Sequence, residues 1–302
     1  MNAKIIDAFM HPGKIVAYLG TRNHLQWMND KRYLEILYKA YIGDNLNLID
    51  PRGFNEKLQW LKLYDRNPMY TELVDKYKVK EYIAEKIGVQ YVIPTLGVWN
   101  KAEEIDFNVL PNKFVLKCTH DSGRVIICRN KNKLDITKAR KELNDCLKRD
   151  FFYTGREWPY KNVSKKIIAE EFMDDGEHED LLDYKLMCFN GKVRCTFVCS
   201  DRRSQDGLKV TFFDNDWNKL PFQRHYPSSS DKIVKPQSHE KMIKLAEILS
   251  QDIPFVRVDF YEIKGKIYFG ELTFYPGSGF EEFEPKEWDR KLGDWLELPK
   301  KG

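Results

Sequence analysis

Residues Phe255 to Phe280 read FVRVDFYEIKGKIYFGELTFYPGSGF, and how this stretch pairs with itself decides the fold. Val256 to Ile263 and Ile267 to Tyr275 are β-branched, aromatic and alternating, which predicts two strands. Lys264-Gly265-Lys266 is the turn between them. With Gly265 as the left-handed residue of a three-residue loop, Glu262 stands opposite Lys266 as a cross-strand ion pair. Arg257, Asp259 and Tyr261 then share a face with Phe269, Glu271 and Thr273. A two-residue turn would shift the parity and send Glu271 to the other face. The odd-length loop therefore brings two carboxylates together beside an arginine, which is unfavourable unless a cation sits between them. Oxygen ligands suit Mg²⁺, which usually takes one or two carboxylates plus substrate phosphates. The second strand runs into Pro276-Gly277-Ser278-Gly279, a backbone that can approach a ligand closely. The competing account of the same residues is a surface hairpin with solvated charges.

The chain has 302 residues, enough for two or three packed units. With 42% hydrophobic and 32% charged residues it has an ordinary globular composition. No apolar run approaches the length of a membrane span, and the N-terminus carries no secretory pattern. A net charge of +4 falls short of the basic patch expected of a nucleic-acid binder and suits an anionic small substrate. The six cysteines form no C-x-x-C pair and have no clustered histidine, which argues against zinc. Their setting fits a reducing cytoplasm.

Residues 1–70 read as an aromatic-rich helical region, 71–170 as a first lobe with a phosphate loop, and 171–302 as a second lobe with a helical tail. Within the first lobe, Leu73 to Gly88 reads as one helix closed by Gly88. Val89 to Val98 is an edge strand or connector, because Pro94 lies inside it. Lys113 to Cys118 and Val125 to Cys128 are strands around the polar loop Thr119 to Arg124. Ile136 to Phe152 is helical, and Lys166 to Met173 is a buried strand ending in two acids. Leu182 to Phe189 and Lys192 to Ser200 form a hairpin across Asn190-Gly191. Val210 to Phe213 is a further strand and Ser238 to Ser250 a helix.

Several of these segments carry residues fit for chemistry. Lys117 ends a strand and faces Ser122, Gly123 and Arg124, where backbone N–H groups can form an anion-binding nest. A plain hairpin with a solvated lysine explains the same residues. Glu170 and Glu171 could cap a cation or accept from an exocyclic amine. Asp183 and Lys185 share a strand face, and Arg202 and Arg203 could grip a phosphate or carboxylate bidentately. No nucleophile elbow, zinc-protease motif, P-loop or dinucleotide fingerprint is present.

The order of these signals is more specific than any one of them. Asp75-Lys76 precedes Gly88 to Pro94; Lys117 with its Ser-Gly loop follows; then come Glu170-Glu171-Phe172-Met173, Arg257-Val258-Asp259-Phe260-Tyr261 and the run from Gly270 to Gly277. Together with Phe54-Asn55-Glu56-Lys57-Leu58-Gln59-Trp60, this resembles the TupA-like branch of the ATP-grasp superfamily, linked to bacterial surface and capsular polysaccharide assembly. The resemblance covers about Asp30 to Gly279. It implies an α+β fold in which two lobes clasp ATP, preceded here by an N-terminal helical extension. It implies that Lys76 and Lys117 hold the α- and β-phosphates while the Thr119 to Gly123 loop, with Ser122 and Gly123, closes over them. Glu170 would meet the adenine amine, with the Glu171 and Met173 backbone at the adenine edge and Phe172 nearby. Asp259, Glu271 and Thr273 would hold Mg²⁺, Thr273 standing where many such ligases have Asn, and Arg257 would face the transferred phosphoryl group.

The activity so implied is carboxylate–amine ligation through an acylphosphate, with a sugar uronate as acceptor and an amino acid or other amine as its partner. Arg203, Lys185 and Arg257 are the candidates for handling the reacting groups, and the acceptor is expected between Pro276 to Gly279 and Arg202-Arg203, with Arg224 and His225 next in line. The enzyme would be cytoplasmic, with no integral membrane segment and a peripheral place in a polysaccharide assembly complex. A sugar or glycan kinase, a glycosyltransferase and a non-catalytic nucleotide-binding protein are the alternatives; Asp214-Asn215-Asp216 has the Asp-x-Asp spelling of many glycosyltransferases but reads as an Asx-rich hairpin turn between Phe213 and Trp217.

Overall fold

The computed structural model describes residues 12–22, 24–174, 176, 181–200 and 207–300. Its helices are α1 (Pro12–Thr21), α2 (Asp30–Ile42), α3 (Phe54–Tyr64), α4 (Met69–Val74), α5 (Val79–Lys86), α6 (Ile136–Leu147), α7 (Phe152–Gly155), α8 (His239–Leu249) and α9 (Glu287–Trp295). Its strands are β1 (Thr95–Trp99), β2 (Phe114–Cys118), β3 (Val125–Cys128), β4 (Ile167–Glu171), β5 (Asp183–Phe189), β6 (Lys192–Ser200), β7 (Lys209–Phe213), β8 (Gln223–Arg224), β9 (Phe255–Ile263), β10 (Lys266–Thr273) and β11 (Phe283–Glu284).

The strands make a four-stranded sheet in the order β1-β4-β2-β3 and a five-stranded sheet in the order β10-β9-β5-β6-β7. Every pairing is antiparallel. The hairpin β5–β6 turns at Asn190 and Gly191, both left-handed at φ 48° and 77°, the backbone that the Asn-Gly pair favours.

The β9–β10 hairpin corrects the expected turn. Lys264 and Gly265 are both left-handed, at φ 51° and 74°, so they form a two-residue turn. Lys266 pairs with Ile263 and Ile267 with Glu262, so Glu262 does not stand opposite Lys266. Phe269 pairs with Phe260 and both are buried in the core, away from the Asp259 face. That register alone would put Glu271 on the core side as well. A register shift between Phe269 and Leu272 intervenes, after which Thr273 pairs with Arg257. The extra residue of this β-bulge returns Glu271 to the face of Arg257 and Asp259. The bulge includes Gly270, where an added Cβ would lie 3.2 Å from the Asp259 carbonyl oxygen and 3.2 Å from the Tyr261 ring. The two carboxylates do share a face, because of the bulge and not of the turn.

The expected helix over 73–88 is two helices. Asp75 Oδ1 accepts from the N–H groups of Tyr77 and Lys78, an Asx turn that competes with helical hydrogen bonding. The break leaves the Lys76 N–H to donate to Thr119 O at 3.2 Å, tying the segment to the polar loop. The helix expected over 136–152 likewise stops at Leu147, with α7 separate. Helix α9 folds back on α3: Lys57 Nζ donates to Gly293 O at 2.8 Å and Leu296 O at 2.7 Å, and Asp289 Oδ1 accepts from the Asn55 N–H at 2.9 Å.

Among the described residues the core has three parts. The largest joins the five-stranded sheet to α3, α4, α8 and α9 through side chains such as Phe54, Leu58, Phe189, Phe255 and Leu292. A smaller one lies between the four-stranded sheet and α6, with Phe114, Leu116, Leu143 and Ala169. The third binds α1 to α2 through Ala17, Tyr33, Leu34 and Leu37, with Phe280 packed against it. The cavity lining draws residues from more than one of these parts, among them Leu37 and Phe280 of the third and Tyr275 of the first.

Candidate active site

Alternation along β9 sends Val256, Val258 and Phe260 into the core and Arg257 and Asp259 to the other face. There Arg257 Nε donates to Asp259 Oδ1 at 2.6 Å, and its Nη2 donates to Asp259 Oδ2 and to Glu271 Oε1, each at 2.7 Å. Lys185, opposite Asp259 on β5, donates to Asp259 Oδ2 and lies 3.5 Å from Asp183 Oδ2. Thr273 Oγ1 donates to Glu271 Oε1 at 3.2 Å. Asp259 is only 1% exposed, whereas the Glu271 side chain is 39% exposed. Burial opposes the charge on Glu271, but Arg257, then Lys76, Lys185 and Lys117, outweigh it and draw its pKa down to about 2.

The four-stranded sheet supplies a second charged cluster. In β2 the residues Phe114, Leu116 and Cys118 face the core, leaving Val115 and Lys117 on the other side; Glu170 of β4 pairs with Val115 and shares that side. Glu170 Oε2 lies 2.5 Å from Lys117 Nζ and its Oε1 lies 2.7 Å from Lys80 Nζ. Burial resists the Glu170 charge, but Lys117 and Lys80 prevail and lower its pKa. Both Glu170 oxygens are thus on lysines. Lys76 Nζ donates to Asp121 O at 2.7 Å. Burial lowers its pKa, against the pull of Glu271, so Lys76 links this cluster to the Arg257 group.

The polar loop is anchored over most of its length. Thr119, His120 and Asp121 are buried. Thr119 Oγ1 donates to Ser164 O at 2.8 Å, and Asp121 Oδ2 accepts from Arg149 at 3.2 Å and from the Cys146 thiol at 3.1 Å. Only Ser122, Gly123 and Arg124 are exposed, so a lid from Thr119 onward, as the sequence suggested, shrinks to its tip. Glu171 is exposed, and its N–H donates to Pro94 O at 3.1 Å. Phe172 follows, with Arg129 5.1 Å and Lys113 5.6 Å from its ring centroid. Met173 is partly buried just beyond the end of β4. Arg202 and Arg203 lie outside the described residues.

A cavity of ≈ 820 Å³ runs beside Arg257 and the loop tip, and Lys76, Lys117, Glu170 and Asp259 are not in its lining. Ser122, Arg257, Glu271 and Thr273 line it, as do Gly277, Ser278 and His225. Tyr41, Phe151, Tyr160, Tyr275 and Phe280 give it aromatic walls, and Glu157, Glu281 and Glu282 add acid. Arg224 is not in this lining; it pairs with Glu281 at 2.8 Å and stacks over Phe197. Gly277, Ser278 and Gly279 are successive left-handed residues, at φ 57°, 54° and 65°. The Ser278 N–H donates to Tyr275 O at 2.8 Å and the Phe280 N–H to Gly277 O at 3.0 Å. The expected row of open donors for an oxyanion is therefore partly consumed within the turn.

Three residues here escaped the sequence reading: Lys80, Glu157 and Lys62. Lys62 is buried on α3, with Nζ donating to Gly155 O at 2.7 Å, Ser278 O at 2.7 Å and Ser278 Oγ at 3.0 Å. Gln59 Nε2 donates to Gly279 O at 2.8 Å and Asn55 Nδ2 to Glu281 O at 2.9 Å. A polar stripe at Asn55, Gln59 and Lys62 thus grips the left-handed turn. The spacing of four and three places it on one helix face with Leu58, and that pattern was the available signal.

Asp259 and Glu271 with the Thr273 hydroxyl make an all-oxygen donor set that fits Mg²⁺ when phosphate oxygens complete its shell. Among the described residues no group of three or more His, Cys, Asp or Glu converges. No described helix is long and apolar enough to cross a membrane.

Residues 56–297 match the model of a family described as TupA-like ATPgrasp. No curated protein matches the chain. Similar solved structures include the D-alanine-D-alanine ligase of Helicobacter pylori, with 15% identity over 82% of this chain and 70% of that one, and a TM-score of 0.41. The D-alanine–D-alanine ligase of Bacillus anthracis complexed with ATP gives 14% identity, coverage of 76% and 66%, and a TM-score of 0.44. D-cycloserine synthetase DcsG gives 15% identity, coverage of 76% and 70%, and a TM-score of 0.42.

Proposed function

This chain belongs to the TupA-like ATP-grasp family and is an ATP-grasp ligase in class, and from that premise we propose that it joins a sugar uronate to an amine through an acylphosphate in surface polysaccharide assembly. The observation that carries the reading is one cavity whose wall holds Ser122, Arg257, Glu271 and Thr273 together with the Gly277-Ser278 turn, aromatic faces and acids. A ligase of this kind needs the phosphoryl donor and its acceptor in one enclosure, positioned rather than attacked by the protein.

In this reading Lys76 and Lys117 bind the α- and β-phosphates, and Ser122 with Gly123 covers them. Glu170 acts as the counter-ion that holds Lys117 in place, while the backbone from Glu171 to Met173 and the Phe172 ring border the adenine. Mg²⁺ held by Glu271 and Asp259 would neutralise charge on the phosphate oxygens when bound. Arg257 turns from the carboxylates towards the transferring group, and Lys185 keeps Asp259 paired meanwhile. The aromatic walls suit a sugar ring, and His225 and Arg203 are the residues assigned to its carboxylate. ATP as substrate puts the reaction in the cytoplasm, peripheral to the assembly machinery.

The test is ADP release with Mg²⁺-ATP, screened over uronic acids crossed with amino acids. Release that requires both substrates supports the ligase. Release with a sugar alone and a phosphorylated product would make it a kinase, and consumption of a nucleotide sugar without ATP would make it a glycosyltransferase.

A further inference from the structure

The cavity is acidic. Glu157, Glu271, Glu281 and Glu282 line it, against Arg257 and His225. Such a wall attracts a cation, and an amine substrate arrives as an ammonium ion. An ammonium has no lone pair with which to attack, so some group must take its proton. We infer that Glu157 is this base, with Ser278 and Lys62 as its positioning residues. The inference rests on the ligase reading above and deepens it.

The other acids are engaged or unsuited. Glu271 is held by Arg257 and Thr273, Glu281 by Arg224, and Glu282 is exposed to solvent. Glu157 is only 7% exposed, yet it reaches the cavity wall. Among the described residues no lysine or arginine forms an ion pair with it. The Ser278 side chain stands near it, across the space beside Gly155. Lys62 Nζ donates to Ser278 Oγ at 3.0 Å, so that oxygen accepts and its one hydrogen is left for another acceptor. The Glu157 carboxylate is left to meet the amine at the cavity wall.

The backbone is built to hold this arrangement. Ser278 occupies the left-handed region at φ 54°, which costs energy for a residue other than glycine. Lys62 pins it through both its carbonyl and its hydroxyl, and ties it to the Gly155 carbonyl two residues before Glu157. The packing at Gly155 admits no side chain, since a Cβ there would lie 2.0 Å from Ser278 Oγ and 3.3 Å from Glu157 Oε1. Burial raises the Glu157 pKa against the opposing effect of Lys62, which makes the carboxylate a stronger base than one in water.

The step balances. Glu157 removes one proton from the ammonium, and the freed nitrogen lone pair forms a C–N bond to the acyl carbon of the acylphosphate. The C–O bond to phosphate breaks with its electron pair on the phosphate, which also takes the second nitrogen proton. Amide and hydrogen phosphate leave, and Glu157 returns its proton to solvent.

Hydroxylamine, already neutral at neutral pH, needs no such base, and so separates acyl activation from amine deprotonation. With glucuronate and the rest of the uronate panel, Mg²⁺-ATP, and either glycine or hydroxylamine, E157Q should lose amide formation by roughly 100-fold or more. Hydroxylamine should restore its turnover to within about threefold of wild type, on the same free-energy scale. S278A should lower kcat for glycine by about tenfold at nearly constant KM, and be rescued in the same way. Undiminished amide formation in E157Q, or equal loss with both nucleophiles in folded E157Q, overturns the assignment of Glu157 and leaves the ligase reading standing. Should E157Q fail to fold, the S278A comparison decides in its place. Wild type that forms neither amide nor hydroxamate from any uronate overturns the ligase reading and this inference with it.

Discussion

Arg257 of β9 and Glu271 of β10 are joined across the strands by a 2.7 Å charge-assisted hydrogen bond, and the same guanidinium nitrogen lies 2.7 Å from Asp259. The arginine therefore stands between the two carboxylates that the family resemblance assigns to a metal, and removing it tests both sides of that relationship. In Arg257→Ala, buried Asp259 keeps only Lys185, and losing one partner of a buried pair costs about 3–5 kcal/mol. Without nucleotide, Mn²⁺ affinity should rise by roughly tenfold, because the ion no longer competes with a guanidinium. Thermal melts and a Mn²⁺ titration read the two effects; unchanged values for both would separate Arg257 from the metal site.

The register of this hairpin shows where sequence reasoning reached and where it stopped. Asn190-Gly191 announces its turn because both residues tolerate positive φ. Lys264 does not announce its φ of 51°, so the sequence predicts a β9–β10 turn one residue too long. The shared face of Asp259 and Glu271 then depends on the bulge that includes Gly270. Gly270 inside a strand pattern is a local signal of a bulge, but the register shift itself is set by how the two strands pack. The order of motifs nevertheless carried the ATP-grasp fold and the family. Lys62 and Glu157 were hidden for another reason: each is a charge made tolerable by partners distant in sequence, and burial of that kind is a tertiary property.

Gly270 offers a direct test of the bulge. A methyl group at this position would press on the Asp259 carbonyl oxygen at 3.2 Å and the Tyr261 ring at 3.2 Å. Gly270→Ala should destabilise the fold by about 1–2 kcal/mol, the usual range for overpacking. It should also weaken Mn²⁺ binding, since Asp259 is displaced with its strand. A melt and an affinity both equal to wild type would mean that the strand yields without moving the carboxylate.

Lys117 separates nucleotide affinity from stability. Its side chain is 16% exposed and paired with Glu170, so it is less open than its place at a strand end suggests. Lys117→Ala leaves Glu170 with Lys80, and the fold should lose little. Affinity for a non-hydrolysable ATP analogue should fall about 10- to 100-fold, or about 1.4–2.7 kcal/mol. Calorimetric titration measures it, and an unchanged dissociation constant removes Lys117 from the phosphate site.

The same pairs set the acid limb of the stability curve. Glu170 is held below its ordinary pKa of 4.5 by Lys117 and Lys80 against the cost of burial, and Glu271 is drawn from 4.5 to about 2. A carboxylate depressed in the folded state binds fewer protons there than in the unfolded chain. Its contribution is fully present above about pH 4.5 and is lost as pH falls towards the folded value. Melts taken from pH 6 down to about pH 2 should show stability falling through this window, and Glu170→Gln should make the fall shallower. An unaltered slope in Glu170→Gln would mean that the pair contributes nothing to acid sensitivity.

His225 is the residue by which the acceptor side can be tested apart from ATP. It lines the cavity, and its N–H donates to Glu282 O at 3.0 Å. Its backbone is left-handed, at φ 59°, so alanine would add strain to the loss of the ring and confuse the result. Asparagine tolerates that conformation better than most residues, so His225→Asn removes the imidazole with little backbone cost. The acceptor KM should rise by roughly 10-fold, about 1.4 kcal/mol, with ATP affinity nearly intact. Arg224→Met would act otherwise: that side chain holds Glu281 and stacks on Phe197, so its loss should appear first as a lower melting temperature. If His225→Asn lowers ATP affinity and leaves the acceptor KM unmoved, the imidazole belongs to the nucleotide, and the carboxylate of the acceptor falls to Arg203.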